Sequence, residues 1–529
     1  MNTIDTRPSS RLGLWTLLLL GVFAWAPTTY PGYWQALEGF VPVLNAANPG
    51  PLADIATEPD LWRGVGGAAF LIARPLILFL GLAPVTAVRL TFALAFILAS
   101  LGTYVWLYPR LGDRGAALAG LLYALFPPFL ATVYVRGSLG DALILALLPV
   151  ALAGFTLYAG TRFPGAAGVA VIATLWMWRT QAGLALLATL ILLAYVLWVE
   201  RDRLGGLVVL VTGLAGFLAL LPLWDQRAPA PVPFQEHFLH VFQLLGNGWQ
   251  VAPSQPGWQD GYPFQLGFPA IAFALILAWI LWQNGRDPDW SGPLPPGGDP
   301  ALVRLLGFGG LVVALSVLLS LAISEPIWRL TRGQRLLTYP WQVLIFTAPF
   351  LALMAGSLPR LRPRLRCAGY WSGLLLLVLL SSYTYLAPNF VNYRPPARPA
   401  AILGPHNDIL LLEAKLTEES QPPQARLDVV WQPLRPIGFD YNVFFQALQP
   451  DPQSGQLQVV AQLDIQPLPD RPATTWQVGQ VITATYRLEL PADPAQADLR
   501  YYFGLYDWRD GSRLPVDGGA DDKVVLYGR

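Results

Sequence analysis

Charge is scarce in this chain. Only 13% of its 529 residues are Asp, Glu, Lys or Arg, about half the ~25% of an ordinary soluble domain. The formal net charge is +1, so no basic surface for nucleic acid is expected. There is one cysteine, Cys367, which excludes an intramolecular disulfide framework. It flanks a basic run and reads as a small surface hydrophobe. Only three histidines occur, and none stands in HExxH spacing. The P-loop, the dinucleotide fingerprint and the GxSxG elbow are absent, as are internal repeats of the transporter kind. Apart from Arg74 and residues at their edges, the apolar runs carry almost no ionisable groups, which disfavours a proton-coupled carrier.

What fills the chain instead is apolar sequence: 54% of residues are hydrophobic. Long apolar segments fall at 14–30, 65–84, 87–107, 115–133, 141–159, 164–178, 182–199, 205–223, 266–283, 303–323, 340–357 and 368–387, the signature of membrane helices. Leu14–Tyr30 lacks a small-residue cleavage site and reads as a retained anchor. Basic residues orient the segments. Arg7 and Arg11 put the N-terminus inside, and Arg110, Arg114, Arg162, Arg201, Arg203, Arg286 and the run from Arg360 to Arg366 mark inner loops. These sides agree if 65–84 does not cross. Its Gly64-Val65-Gly66-Gly67 start and internal Arg74-Pro75 suit a re-entrant or interfacial helix. The expected fold class is an α-helical polytopic membrane protein with about eleven spans plus that re-entrant or interfacial helix, followed by a C-terminal all-β sandwich. The expected domains are a membrane domain over 1–387 with outer loops 31–64, 224–265 and 324–339, a linker over 388–426, and an extracytoplasmic sandwich over 427–529. In the tail, apolar and polar residues alternate over 427–431, 442–446, 457–460, 482–486 and 499–503, separated by turns such as Asp510-Gly511. It offers no clustered acids with metal spacing, so it reads as a binding or bracing module.

Four constellations on the outer side carry polar chemistry. The loop 31–64 holds Glu38, Asp54, Glu58 and Asp60; a carboxylate there suits a general base or admits a divalent cation, the one cofactor the sequence leaves open. Glu38 sits among aromatics, where a bare charge is costly. Solvated loop charge is the plainer reading of each acid. The second is Tyr134-Val135-Arg136-Gly137-Ser138-Leu139-Gly140-Asp141, in which Arg136 and Asp141 can pair and Asp141 opens a helix. The third is the run Trp328 to Arg335, whose Arg329, Arg332 and Arg335 match phosphate geometry. The fourth is Glu236-His237-Phe238-Leu239-His240, with two histidines expected on one helix face. Trp249 and Trp258 downstream suit stacking on sugar rings or a place in the headgroup belt.

Several short motifs keep a particular order. They run from Trp62-Arg63-Gly64 through Arg110-Leu111-Gly112-Asp113-Arg114-Gly115, Leu122-Tyr123-Ala124-Leu125-Phe126-Pro127-Pro128, Tyr134-Val135-Arg136-Gly137, Gly248-Trp249, Pro263-Phe264-Gln265-Leu266-Gly267 and Leu337-Thr338-Tyr339-Pro340-Trp341-Gln342 to Tyr441-Asn442-Val443-Phe444, Thr475-Trp476-Gln477-Val478-Gly479 and Gly504-Leu505-Tyr506-Asp507. Nearly the whole chain thereby resembles bacterial multi-pass membrane proteins built like GT-C glycosyltransferases, the group labelled 6-pyruvoyl-tetrahydropterin synthase-related membrane domain. No zinc-binding histidine set exists, so pterin synthesis is excluded. The resemblance implies a GT-C-like membrane glycosyltransferase in the cytoplasmic (inner) membrane. It would move a sugar from a polyprenyl-phosphate donor to a glycan or protein acceptor of the cell envelope, in contact with membrane lipids. It implies a first-loop acid as base, best matched by Glu38, with Asp54 and Asp60 as competitors. Asp141 stands where the group more often has glutamate. Arg136, Arg329, Arg332 and Arg335 would hold the leaving phosphate. The alternative is a non-catalytic scaffold on the same fold, serving surface polysaccharide assembly or export.

Overall fold

A computed structural model describes residues 11–47, 67–220, 234–246, 248–286, 300–391, 399–405, 408–420, 423–434, 437–451, 456–477, 479–490, 499–517 and 521–527. The chain divides into two compact units. One comprises Met1–Pro31 and Asn48–Asn389, the other Gly32–Ala47 and Phe390–Arg529.

The first unit is helical. Among the described residues, six helices are long and apolar enough to cross a membrane: Leu12–Thr29, Pro84–Ala124, Leu139–Thr161, Ala182–Glu200, Pro300–Ser320 and Pro340–Leu361. Arg203–Ala219 and Phe268–Gln283 are shorter apolar helices. The helix Pro84–Ala124 is not one rod. Gly112 breaks it at φ 72° and ψ 178°, a left-handed φ that favours glycine. A Cβ on Gly120 would lie 2.8 Å from the Ser100 carbonyl oxygen. In a straight helix those residues would stand about 30 Å apart, so the two arms fold back on each other. Ala73–Leu80 has eight residues, about 12 Å of helix, too short to cross a ~30 Å hydrocarbon core unaided.

Polar contacts mark the two ends of this bundle. At one end Asp113 caps the N-terminus of Leu12–Trp25, accepting from the Gly13 N–H (2.5 Å) and the Leu14 N–H (3.1 Å). Beside it the Arg110 guanidinium meets Glu200 at 2.7 Å, and Tyr195, Thr156 and Trp106 complete the cluster. Arg162 pairs with Asp202 at 2.6 Å, and Arg114 donates to the Arg366 carbonyl. At the other end the Tyr134 hydroxyl donates to the Ala24 carbonyl (2.6 Å). This places the turn through Arg136 beside the C-terminus of Leu12–Trp25.

Among its described residues the second unit is built of strands, apart from the short helix Val41–Ala47 and the turn Ala473–Thr475. Its strands are β1 Tyr33–Trp34, β2 Phe390–Val391, β3 Ala401–Leu403, β4 Ile409–Ser420, β5 Pro423–Pro433, β6 Asn442–Pro450, β7 Leu457–Ile465, β8 Ile482–Glu489, β9 Arg500–Tyr506 and β10 Val524–Tyr527. β1 and β2 form an antiparallel ribbon, with Tyr33 opposite Val391. Two four-stranded antiparallel sheets follow, in the orders β10-β9-β6-β7 and β3-β4-β5-β8. Strict alternation along β8 turns Ile482, Ala484, Tyr486 and Leu488 inward. They join Trp431, Phe445 and Phe503 in one core, where Trp431 stacks on Phe503 at 5.5 Å.

Two expectations change here. Residues 388–426 are not a linker: they hold β2, β3 and β4 and the start of β5. Leu412-Glu413-Ala414-Lys415-Leu416 suits a helix as well as a strand locally, and eleven register pairs with β5 decide it. Nor does 31–64 act as one loop of the helical unit. Its described first part, 32–47, groups with the sandwich: β1 pairs with β2, and the Phe40 N–H donates to the Leu434 carbonyl (2.5 Å).

Candidate functional site

Two helices bring Arg136 and Asp141 together. A π-helical turn over Ala131–Arg136 ends at Gly137 (φ 76°), and Ser138 opens the 23-residue helix Leu139–Thr161. The glycine in left-handed conformation reverses the chain, so that Arg136 Nη1 donates to Asp141 Oδ2. Both side chains are buried, Arg136 9% and Asp141 1% exposed. Gln342 Nε2 adds a second donor to Asp141 Oδ2, at 3.2 Å. The other carboxylate oxygen, Asp141 Oδ1, and the N-cap hydroxyl, Ser138 Oγ, are buried without a hydrogen-bond partner among the described residues. Buried polar atoms left unmatched cost roughly 1–3 kcal/mol each, so this helix start is built with unused capacity. An acceptor oxygen and a hydroxyl lie next to a guanidinium and to the positive end of a helix.

Gln342 belongs to a second contributor, the turn Pro340–Phe346. Its Trp341 carries the Arg136 guanidinium over its ring face at 5.8 Å. The indole also stacks on Tyr339 (4.9 Å) and Tyr262 (4.6 Å) and meets Phe264 edge-on (5.4 Å).

The third contributor is the segment 234–267. Trp341 Nε1 donates to Ser254 Oγ at 3.2 Å. Ser254 Oγ donates to Asp260 Oδ2 at 2.6 Å and lies 2.9 Å from His237 Nδ1. Asp260 Oδ1 accepts the Tyr262 N–H (2.9 Å), and the His237 ring sits edge-on to Tyr339 at 5.1 Å. His237 and Asp260 are 3% and 4% exposed. Burial holds the His237 imidazole below its ordinary pKa, against a smaller opposing pull from Glu236. Burial raises the Asp260 carboxyl, against the hydrogen bonds from Ser254 and from the backbone of Tyr262 and Gln255. One indole therefore joins two polar clusters: its N–H reaches the Ser254 hub and its face carries Arg136.

The other expected site residues have different places. Glu38 is buried in the sandwich unit. Its charge, after burial itself, pushes the Tyr33 hydroxyl upward. Asp54, Glu58 and Asp60 lie outside the described residues. Arg329 is exposed and paired with Glu325 at 2.6 Å, and Arg332 and Arg335 are exposed on the turn that follows. Trp328 of that run packs against Phe234 at 5.2 Å, next to the His237 segment. Trp249 lies against Tyr385 (4.3 Å), and Trp258 is 64% exposed. The two histidines do not share a helix face. His237 ends the turn Phe234–His237, whereas His240 caps the separate helix Val241–Leu245, with Gln243 Oε1 accepting its N–H. The residues that sequence reasoning missed are Ser254 and Asp260 as partners of His237, and Gln342 as partner of Asp141. Their one signal was polarity in otherwise aromatic stretches.

No family model matches the chain, and no curated protein matches it. Among solved structures it is similar to the crystal structure of ArnT from Cupriavidus metallidurans in the apo state, at 13% identity over 65% of this chain and 76% of that chain, with a TM-score of 0.27. A likeness that slight carries no argument about the fold or the chemistry of this chain.

Proposed function

We propose that the chain is a membrane glycosyltransferase of the GT-C type. It moves a sugar from a polyprenyl-phosphate carrier to a hydroxyl acceptor on the outer face of the cytoplasmic membrane. The observation that supports this best is the buried Arg136–Asp141–Gln342 cluster at the start of Leu139–Thr161, with Ser138 Oγ and Asp141 Oδ1 unmatched. A carboxylate oxygen without a donor suits a sugar hydroxyl. A guanidinium beside a helix N-terminus suits a phosphate. A sugar phosphate on a lipid carries both groups. The arginine-rich end of the bundle, with Arg110, Arg114, Arg162 and Arg366, faces the cytoplasm by the positive-inside rule. That leaves Arg136 at the opposite face. Arg332 and Arg335, with Arg329 held to Glu325 beside them, supply positive charge at the rim, where the lipid phosphate arrives, and Trp249 and Trp258 offer aromatic faces to the glycan.

The test is transfer in liposomes. Purified protein is given polyprenyl-phosphate-linked sugars with glycan and protein acceptors, and the product is counted. Arg136→Ala is expected to lower turnover by roughly 100-fold or more. Arg136→Lys is expected to restore little of it, because an ammonium does not reproduce the planar fork. Binding of the lipid phosphate without turnover by the unsubstituted protein would overturn the transferase reading in favour of a scaffold in surface polysaccharide assembly or export.

A further inference from the structure

We infer that His237 is the general base of this site, and that Ser254 and Asp260 are positioning residues that hold its ring with the proton on Nδ1 and the lone pair on Nε2. The inference rests on the transfer reading above and deepens it.

The protons around Ser254 fix the tautomer. Ser254 Oγ has one proton and two lone pairs. Three groups surround it: Asp260 Oδ2 at 2.6 Å, His237 Nδ1 at 2.9 Å and Trp341 Nε1 at 3.2 Å. An indole N–H only donates, and an ionised carboxylate only accepts. The serine proton therefore goes to Asp260, one lone pair takes the Trp341 N–H, and the other takes a proton from His237 Nδ1. The imidazole is fixed as the Nδ1–H form. Nε2 has no hydrogen bond among the described residues and keeps the lone pair a base needs. Ser254 itself, with its proton given away and both lone pairs used, is not a nucleophile. Burial disfavours the charged ring, so that one ring nitrogen stays unprotonated, as a base requires. The edge-on contact with Tyr339 holds the ring plane. Trp341 sets the distance to the Arg136 cluster because it touches both. The charged groups around the ring are Asp260 through Ser254, Glu236 next in the chain, and Arg136 across the indole.

His237 Nε2 takes the proton of the acceptor hydroxyl. The hydroxyl oxygen forms a bond to the anomeric carbon of the sugar. The bond from that carbon to the phosphate oxygen breaks, and its electron pair leaves with the lipid phosphate. The imidazolium returns its proton to water.

Two experiments decide it. With only three histidines in the chain, protein labelled with 15N-histidine gives resolvable ring nitrogen signals, and His237→Gln identifies which belong to His237. The expected spectrum at neutral pH shows Nδ1 protonated and Nε2 bare, and Ser254→Ala or Asp260→Asn releases that preference. A His237 ring protonated on Nε2 overturns the inference. In the transfer assay, His237→Gln is expected to lower kcat by roughly 100-fold or more with little change in KM. Ser254→Ala is expected to move the acid limb of the pH–rate profile and to lower the alkaline plateau, because the released ring carries its proton on Nε2 for part of the time. Full turnover by His237→Gln overturns the inference, as does loss of turnover in Glu38→Gln while His237→Gln stays active. An unsubstituted protein that transfers nothing overturns the transfer reading and the base role with it, whereas the tautomer measurement then still reports whether the ring is held as described.

Discussion

His237 and Asp113 show how differently two polar side chains act in an apolar chain. The native His237 pKa lies below the ordinary value of about 6.5 because the ring is buried. The unfolded chain therefore binds a proton near pH 6.5 that the native ring still refuses. The neutral ring costs nothing above that pH, and stability falls as pH drops from about 6.5 through the native pKa. In detergent the melting temperature is expected to decline between pH 7 and pH 5, and to decline less in His237→Gln; equal slopes would show that His237 does not couple to folding. Asp113 is a cap, taking two N–H groups of the first helical turn and the Tyr104 hydroxyl at 2.8 Å. Asp113→Ala is expected to cost about 1 kcal/mol of stability and Asp113→Asn nearly as much, because an amide offers one acceptor oxygen where Gly13 uses Oδ2 and Leu14 and Tyr104 use Oδ1; chemical denaturation of the two variants checks it, and an unchanged Asp113→Asn would mean that one accepting oxygen suffices. Sequence made the Arg136–Asp141 pair visible because the two lie only five positions apart. It hid the Ser254 hub because His237, Ser254 and Trp341 meet only after the chain has folded, and no spacing rule reports such a meeting.

Helices in this molecule approach one another through glycine. A Cβ on Gly115 would sit 2.5 Å from the Gly356 carbonyl oxygen, and one on Gly356 would sit 2.6 Å from the Gly115 carbonyl oxygen. The helices Pro84–Ala124 and Thr347–Leu361 thus cross backbone to backbone, as small residues permit in membranes. Gly115→Ala is expected to push them apart and cost roughly 1–3 kcal/mol. Gly168→Ala, where a Cβ meets nothing within 4 Å, serves as the comparison and should be nearly silent in thermal unfolding. A loss at Gly168 as large as that at Gly115 would mean that the crossing does not set the cost, since helix propensity favours alanine at both positions. At this scale hydrophobic length announced membrane helices, and alternation announced β5 to β9. Hydropathy has no means of marking a pivot such as Gly112, since a left-handed glycine changes direction without changing polarity. It also failed at β4, where locally ambiguous residues take strand geometry from β5.

The largest departure from local reading spans the whole chain. Residues 32–47 leave the first helix and join a unit whose other residues begin at Phe390. The pairs Tyr33 with Val391 and Trp34 with Phe390 lie more than 350 positions apart, and nothing periodic in either stretch points to the other. The attachment has particular contacts. The Phe40 N–H bonds to the Leu434 carbonyl, and the Phe40 ring fills the space a Cβ would take on Gly479, 2.6 Å away. Gly479 holds φ 80°, so it satisfies both a left-handed turn and the ring above it. A tail expressed as 388–529 would lack β1 and Phe40. It is expected to fold, because the core around Trp431, Phe445 and Phe503 is complete within it, but to leave β2 without a partner and the surface at Gly479 uncovered. Adding a soluble peptide of residues 32–47 is expected to raise its melting temperature with the logarithm of peptide concentration above the Kd, by mass action. The same peptide with Phe40→Ala is expected to raise it less. Equal effects from both peptides would mean that Phe40 does not carry the attachment, and no effect from either would mean that the segment joins the sandwich only when the chain tethers it there.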